Sequence, residues 1–490
     1  MVDLLGGVGA PTTHADLEDT VIKLGTVLMR KLIQARLDLL YERERAHWAG
    51  YRREAGVEVR ARDRQLETQV GRLVVRRFGV KRQADEAARF PMDKQLNLPA
   101  NLYSHPLRER VTDEAQRGAW EQAVQQIAQR TGGHIPKRQA EQLAIQTAQD
   151  FEAFYEQRPL PVNDTLSDAA LLLLSSDSKG ITMRPEALRD ATRKAAEAEA
   201  ADVVKGDPMA SKPARCHDKR MAIVTAVWEQ EPHIRTAKDI IAELRPQASS
   251  ASDKLKKTKK RKKTQTPSPP RPVNKRVWAS VEKNEAKGVA EMFDEADRRD
   301  PERSRTAIVL VDGDESQETA IFSEARRHGR SLVLVLDIIH ALSYLWAAGF
   351  ALNRKDRQKT QVWVTRFLSK LLTCPIEKVI LDIQRSAAQR GLSKKQRQPV
   401  DKCLKYFERH SSMMSYPSFI QQGLPIATGV IEGACRHLVQ DRLGITGARW
   451  GLDGAEAVLK LRALRCSGDW AQYHRFHHEQ EAARNYAAAA

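Results

Sequence analysis

Three aspartates, Asp177, Asp312 and Asp337, each sit at or one residue past the C-terminal end of a short apolar run, 169–175, 307–311 and 332–336. Carboxylates that converge at neighbouring strand ends supply the hard oxygen ligands that divalent cations prefer. A single aspartate at such a place is an ordinary turn-former or helix cap; three in one layout point to a cation site. Glu432 lies in the first turns of a helical pattern preceded by Pro425 and by Thr428, which suits an N-cap. Arg436 follows one turn later on the same face, and by spacing alone the two are an ordinary i,i+4 surface pair. Tyr473, His474, His477 and His478 suggest two other chemistries. A tyrosine recombinase needs an Arg/His constellation whose order is not found here, and a zinc site lacks an obvious fourth ligand.

The runs that carry the aspartates read as strands. Segment 169–175 is a continuous apolar strand, 307–311 and 332–336 are wholly apolar, as strands buried on both faces are, and 221–228 and 276–281 supply two more. With helical patterns at 287–298 and 316–328 they predict a mixed five-stranded sheet covered by helices, an α+β fold. From 341 to 410 the pattern is helical (341–351, 361–373, 375–390, 394–410), an all-helical insertion followed by helices at 429–443 and 453–464 and a polar tail. Before the sheet the chain is mainly helical: 17–49, then 107–155, with a strand or hairpin around Gly71 at 67–77. Segments 120–129 and 137–155, joined by a Gly-containing turn, match a helix-turn-helix in size and equally a plain helical hairpin. The expected divisions are 1–160, 161–340, 341–424 and 425–490.

The 490 residues exceed one compact core, and the longest apolar runs fall far short of a membrane span. Mean hydropathy is −0.54, which fits a chain without membrane partners, and the first residues carry no export pattern. Five scattered cysteines without a CxxC pair read as reduced cytosolic thiols. Net charge is +18, and eleven Lys or Arg with no acid fall between Lys254 and Arg276. Such an excess fits a polyanion, and the Ser/Pro/Lys-rich insert at 249–276 reads as a flexible basic segment able to lie along DNA through Lys259, Lys260 and Arg261.

The blocks LLLLSSDSKGITMRPEALRDATRKAA, AIVLVDGDESQ, LVLVLDIIHALSYLW and LPIATGVIEGACRHLVQDRLGITGARWGLDGAEAVLKLRAL, with the ending GDWAQYHRFHHEQEAARN, resemble bacterial insertion-sequence transposases of the ISKra type. These belong to the DDE superfamily, whose core is ribonuclease H-like. The resemblance runs from about residue 96 to 485. It implies a sheet whose first three strands are antiparallel and whose fourth and fifth lie parallel to the first. Relatives carry cysteine pairs near the N-terminus; no cysteine precedes Cys216 here, so no zinc ribbon is expected there.

By the same resemblance Asp177 matches the first catalytic acid and Glu432 the last. Asp312 matches the second, with Asp337 and His340 as a supporting Asp-x-x-His pair; the alternative places the second acid at Asp337. Two Mg²⁺ ions, with Mn²⁺ able to substitute, would be held by Asp177, Asp312 and Glu432 and flank a scissile phosphate. The implied activity is cleavage of transposon ends and transfer of the 3′-hydroxyl to target DNA, in a homodimer or larger assembly, in the bacterial cytoplasm at the nucleoid. The N-terminal region would bind DNA ends or dimerise. Lys179, Arg184, Arg436, Arg442 and Arg449 are phosphate-contact candidates, and Trp450 and Trp346 candidates for stacking on a base. The competing reading is a transposase-derived DNA-binding protein that no longer cuts.

Overall fold

Thirty-seven residues without a proline form the first described helix, α1 (His14–Gly50). The computed structural model describes residues 13–50, 57–81, 87–160, 166–205, 218–244 and 270–486. The basic residues Lys259, Lys260 and Arg261, and Cys216, lie outside them. Contacts divide the chain into two units, residues 1–158 with 441–490, and residues 159–440.

In the first unit, the C-terminal half of α1 packs on a hairpin of β1 (Glu58–Thr68) and β2 (Gly71–Lys81). Leu37 and Leu40 join Leu66, Leu73, Val75 and Met92 in one buried cluster. Gln34 exchanges hydrogen bonds with both backbone groups of Val74, 2.8 and 2.9 Å, satisfying part of an open strand edge. The hairpin begins well before the expected 67–77 because β1 is largely exposed and therefore polar. Helices α2 (Pro91–Gln95), α3 (His105–Ala115), α4 (Trp120–Arg130), α5 (Lys137–Ala148) and α6 (Phe151–Gln157) follow. Leu107, Val111, Ile127, Ile135 and Leu143 form a core shared by α3, α4 and α5, so α4 and α5 spend their apolar faces on each other and on α3. The helix expected over 137–155 is two helices, parted at Gln149-Asp150.

The second unit is built on a five-stranded sheet in the order β5-β4-β3-β6-β7. Its strands are β3 (Leu171–Thr182), β4 (Lys219–Gln230), β5 (Val273–Ser280), β6 (Ala307–Val311) and β7 (Leu332–Leu336). Pairings β3–β4 and β4–β5 are antiparallel; β3–β6 and β6–β7 are parallel. The expected α+β architecture with a mixed five-stranded sheet is therefore present. Helices α7 (Asp190–Lys205), α8 (Ala237–Leu244), α9 (Glu285–Arg299) and α10 (Glu315–His328) lie between strands in sequence. Then come the helices of the expected insertion: α11 (Ile338–Leu352), α12 (Arg357–Thr373), α13 (Ile376–Ala388), α14 (Lys394–Arg409) and α15 (Tyr416–Gln421). Helix α16 (Gly429–Ala434) and a π turn, Cys435–Gln440, end the unit.

The remaining chain, α17 (Asp441–Leu443), α18 (Leu452–Ser467) and α19 (Trp470–Tyr486), belongs to the first unit. The segment expected to finish the catalytic region, 425–490, is thus divided after Gln440. What reads as a polar tail is a helix that buries Tyr473, His474, His477 and Glu481. His477 and Glu481 are internal because they are paired: His477 Nδ1 lies 2.6 Å from Asp150, and Arg108 reaches both oxygens of Glu481 at 2.7 and 2.8 Å. Among the described residues no helix is long and apolar enough to cross a membrane.

Candidate active site

The parallel register places the three aspartates in one row. Ser175 and Leu310 form the last pair of the β3–β6 ladder, and Asp177 and Asp312 each lie two residues beyond it, at the same edge of the sheet. Val311 pairs with Leu336 across β6–β7, and one step further Asp312 comes beside Asp337. On the β7 side the approach is direct, the Asp337 N–H donating to the Val311 carbonyl at 2.8 Å. Because β6 and not β7 lies against β3, Asp312 occupies the strand end next to Asp177.

Asp177 itself is not at the end of its strand, as its apolar run implies. β3 continues to Thr182, and Asp177 pairs with Val224 in the antiparallel ladder. The apolar run stops at Ser175 because β6 ends there. Beyond it β3 has a partner on one side only, and the Asp177 side chain is 29 % exposed. One carboxylate oxygen accepts the Ser178 N–H at 2.6 Å; the other accepts the Cys435 thiol at 3.2 Å and has the Lys179 ammonium 3.7 Å away.

Asp312 follows β6 in a turn closed by Gly313, whose φ of +90° an L side chain rarely adopts. A Cβ on Gly313 would stand 2.8 Å from Tyr406 Oη. Tyr406, from α14, donates its hydroxyl to the Asp312 carbonyl at 2.6 Å and stacks on Tyr344 of α11 with ring centres 4.0 Å apart. The helical insertion thus reaches the end of β6 and holds its turn. Asp314 and Glu315, close to Asp312 in sequence, serve other ends. Asp314 caps α10 through the Ser316 and Gln317 N–H groups, and Glu315 pairs with Arg409 at 3.0 Å.

Asp337 is engaged elsewhere. It caps α11, accepting the Ile339 N–H at 2.8 Å, and its second oxygen accepts the hydroxyl of Thr428. Burial raises its pKa above the ordinary carboxylate value, against the lowering pull of Thr428, the Ile339 N–H and His340. Thr428 is at the N-cap position of α16, as its sequence suggests, but its side chain makes no cap bond there and binds Asp337 instead. His340 lies half-buried against Tyr344 and Tyr406, ring centres 5.7 and 5.9 Å away.

Glu432 projects exposed from α16, which packs against β3 and β4. One turn on, Cys435 begins the π turn. Its thiol pKa is pushed well up, by burial first, then by Asp177, with Glu432 adding in the same direction. Of the two acids, Asp177 is the one bonded to the thiol. The π turn faces Cys435, Leu438 and Val439 inward and leaves Arg436 and His437 exposed; such insertions concentrate at functional sites. Among the described residues, no three His, Cys, Asp or Glu side chains stand together at metal-holding distance.

The basic candidates separate. Arg184 and Arg436 in this unit are exposed, and Lys179 is half-exposed beside Asp177. In the first unit Arg449 is exposed, whereas Arg442 and Trp450 are not available to DNA. Arg442 is 2 % exposed, its guanidinium 5.4 Å from the Trp120 ring and 4.6 Å from the Trp450 ring, with Nε donating to the Ala115 carbonyl at 2.7 Å. Burial pushes its pKa down to about 10. Trp450 is buried with its indole N–H on the Leu443 carbonyl at 3.2 Å. Trp346 is half-buried against Phe350. Of the tail histidines, His477 serves Asp150 and His478 packs on His105, ring centres 4.2 Å apart.

Four residues of the site had not stood out in the sequence as its parts: Cys435, Tyr406, Thr428 in its bond to Asp337, and Gln317, whose amide donates to Ser176 O and Oγ at 2.8 and 2.9 Å. Only the position of Cys435, three residues after Glu432, was a usable signal. The sequence matches no protein-family model and no curated protein.

Proposed function

We propose that the chain is a DDE-type DNA transposase with a ribonuclease H-like catalytic core. It would bind the ends of a bacterial insertion sequence and cleave and rejoin DNA strands at Asp177, Asp312 and Glu432. The observation that supports this reading is the parallel pairing of β3 with β6, which brings Asp177 and Asp312 to one edge of the sheet, with the helix that bears Glu432 packed on β3. These three carboxylates suit two Mg²⁺ ions, with Mn²⁺ able to replace them. Such ions when bound would activate water or a 3′-hydroxyl and stabilise the leaving oxygen of a phosphodiester.

The chain's own groups have distinct tasks in this reading. Asp177 holds its place through the Ser178 N–H and the Cys435 thiol. Tyr406 fixes the turn that aims Asp312. Asp337, bonded to Thr428, is a positioning residue that ties the start of the Glu432 helix to the end of β7. Lys179, Arg184 and Arg436 are set to meet phosphates; Arg449 would do so from the other unit. The partners are double-stranded DNA, as transposon ends and target, and the setting is the bacterial nucleoid.

A second reading, a DNA-binding protein that no longer cuts, is favoured by the Lys179 ammonium 3.7 Å from Asp177, a cation of the chain's own beside the first acid. The deciding experiment incubates the full chain with Mg²⁺ or Mn²⁺ and linear DNA carrying the terminal segments that border its own gene. Nicking at those ends by the natural chain, lost in Asp177→Asn with binding retained, is expected. Cleavage that survives Asp177→Asn sinks the two-metal reading. End binding without cleavage under either metal establishes the second.

A further inference from the structure

In its C-terminal half helix α1 uses one face on its own unit; nearer the N-terminus that side carries Ile22, Met29 and Ile33, 60, 49 and 43 % exposed, and the other face is bare along the helix. Leu37 and Leu40 are buried against the hairpin, and Tyr41 stacks on Phe78. On the opposite face Leu17, Val21, Leu24, Leu28, Leu32 and Leu39 are 39, 53, 47, 59, 62 and 58 % exposed, with Ala35 exposed between the last two. These positions advance by four, three, four, four, three and four residues. That is an eleven-residue repeat, 3.67 residues per turn, so the stripe runs nearly straight along an ordinary helix and does not show as heptads. From Leu17 to Leu39 it extends about 33 Å. A continuous apolar stripe of this kind in water marks a contact surface.

We infer that this face binds the same face of a second copy of the chain, the two α1 helices lying antiparallel with Leu28 on the two-fold axis. The spacing is a palindrome, so one register fills every position. Leu17 meets Leu39 of the second copy, Val21 meets Ala35, Leu24 meets Leu32, and Leu28 meets itself. A two-fold contact needs a self-complementary patch, and this stripe is one. The flanking charges agree. Glu18 and Arg36 are five full turns apart on the same flank, and both are exposed. In the antiparallel register each Glu18 falls about 3 Å in axial height from Arg36 of the second copy. Parallel helices would hold the two roughly 27 Å apart along the axis. The inference does not rest on the catalytic reading.

The test is the mass of the full chain by analytical ultracentrifugation across a concentration series. Wild type is expected at about 110 kDa, twice the 55.2 kDa of the chain. Leu24→Glu with Leu28→Glu should weaken self-association by about 100-fold or more while far-UV circular dichroism stays the same, since neither side chain is in the unit's own core. Glu18→Arg should weaken it less, and Glu18→Arg with Arg36→Glu should restore it. Orientation is read by oxidation. Leu28→Cys should cross-link to itself beyond the unsubstituted chain, Leu17→Cys should not, and a mixture of Leu17→Cys and Leu39→Cys chains should. A monomeric wild type, a dimer indifferent to the double glutamate variant, or equal self-cross-linking of Leu17→Cys each overturns the inference. So does a monomer that sediments with phosphatidylglycerol vesicles until Leu28→Glu releases it. Asp177→Asn must dimerise as wild type does, so a failure of the cleavage reading leaves this result intact.

Discussion

The thiol of Cys435 is aimed at Asp177, Sγ to Oδ2 3.2 Å, so a buried neutral group shares the carboxylate on which the proposed chemistry depends. Burial and then Asp177 raise the pKa of this thiol, and burial alone pushes that of Cys403 up to about 12. In the unfolded chain both thiols ionise near 8.5. Above that pH the unfolded chain binds fewer protons than the folded one, so stability falls as pH rises, by up to about 1.4 kcal/mol per pH unit for each thiol. Urea midpoints between pH 8 and 9.5 should decline in wild type and decline less in Cys403→Ala with Cys435→Ala. An equal slope in both would mean that the thiols ionise in the fold.

Asp312 and Asp337 are separable by substitution. With its pKa raised, Asp337 contributes stability that is full below its unfolded pKa of about 3.9 and is lost as pH rises through the folded value. At neutral pH its buried charge is held by Thr428 and the Ile339 N–H. Asp337→Asn keeps an acceptor for Ile339 and removes that charge, so stability at pH 7 should change by no more than about 1 kcal/mol. DNA cleavage should stay within about tenfold of wild type. Asp312→Asn should reduce cleavage by at least about 100-fold with unchanged stability. The reverse pattern would move the second acid to Asp337.

Gly313 and Tyr406 form one device. Gly313→Ala forces an L residue to φ +90° and drives its Cβ to 2.8 Å from Tyr406 Oη, which should cost about 1–3 kcal/mol. Tyr406→Phe removes the bond to the Asp312 carbonyl, about 1 kcal/mol. In the double variant the clash is partly relieved, so the two losses should sum to less than their total in a thermal-unfolding cycle. Strict additivity would show that the turn and the tyrosine act apart.

Arg442 and Arg449, seven residues apart, should behave oppositely. Arg442→Ala empties the space between Trp120 and Trp450 and leaves the Ala115 carbonyl without its partner. A loss of about 2–4 kcal/mol in stability is expected, with DNA affinity of the folded protein unaltered. Arg449→Ala should leave the melting temperature alone and weaken DNA binding with a shallower salt dependence. Loss of affinity in Arg442→Ala at temperatures where it is fully folded would contradict its assignment as an interior residue.

The strands were legible where hydrophobicity reports burial on both faces: 307–311 and 332–336 coincide with β6 and β7. They were not legible where hydrogen bonding outlasts burial. β3 runs on through Ser176-Asp177-Ser178-Lys179-Gly180 because β4 pairs with it there, although the residues themselves are polar or glycine. Pattern failed again in α19, whose interior is His, Glu and Tyr matched to partners on α3, α5 and α6 and at Asp150 between them; polarity along a chain says nothing about partners more than three hundred residues away. Of the site, the aspartates were visible from their runs, whereas the roles of Tyr406 and Thr428 arise only from the fold that brings them to the ends of β6 and β7.

The first unit is interrupted by residues 159–440 and completed by 441–490, and this has a consequence for synthesis on the ribosome. While residues 159–440 are being made, Asp150 lacks His477 and Arg484, Arg108 lacks Glu481, and the hydroxyl of Tyr155 lacks Asp469, 2.8 Å away in the finished protein. The second unit has all its strands and can mature during translation, whereas the first must wait for residues 441–490. A message cut short by a late stop codon would therefore yield a product with an intact sheet and exposed, unpaired charges in its other half, a ready substrate for proteolysis.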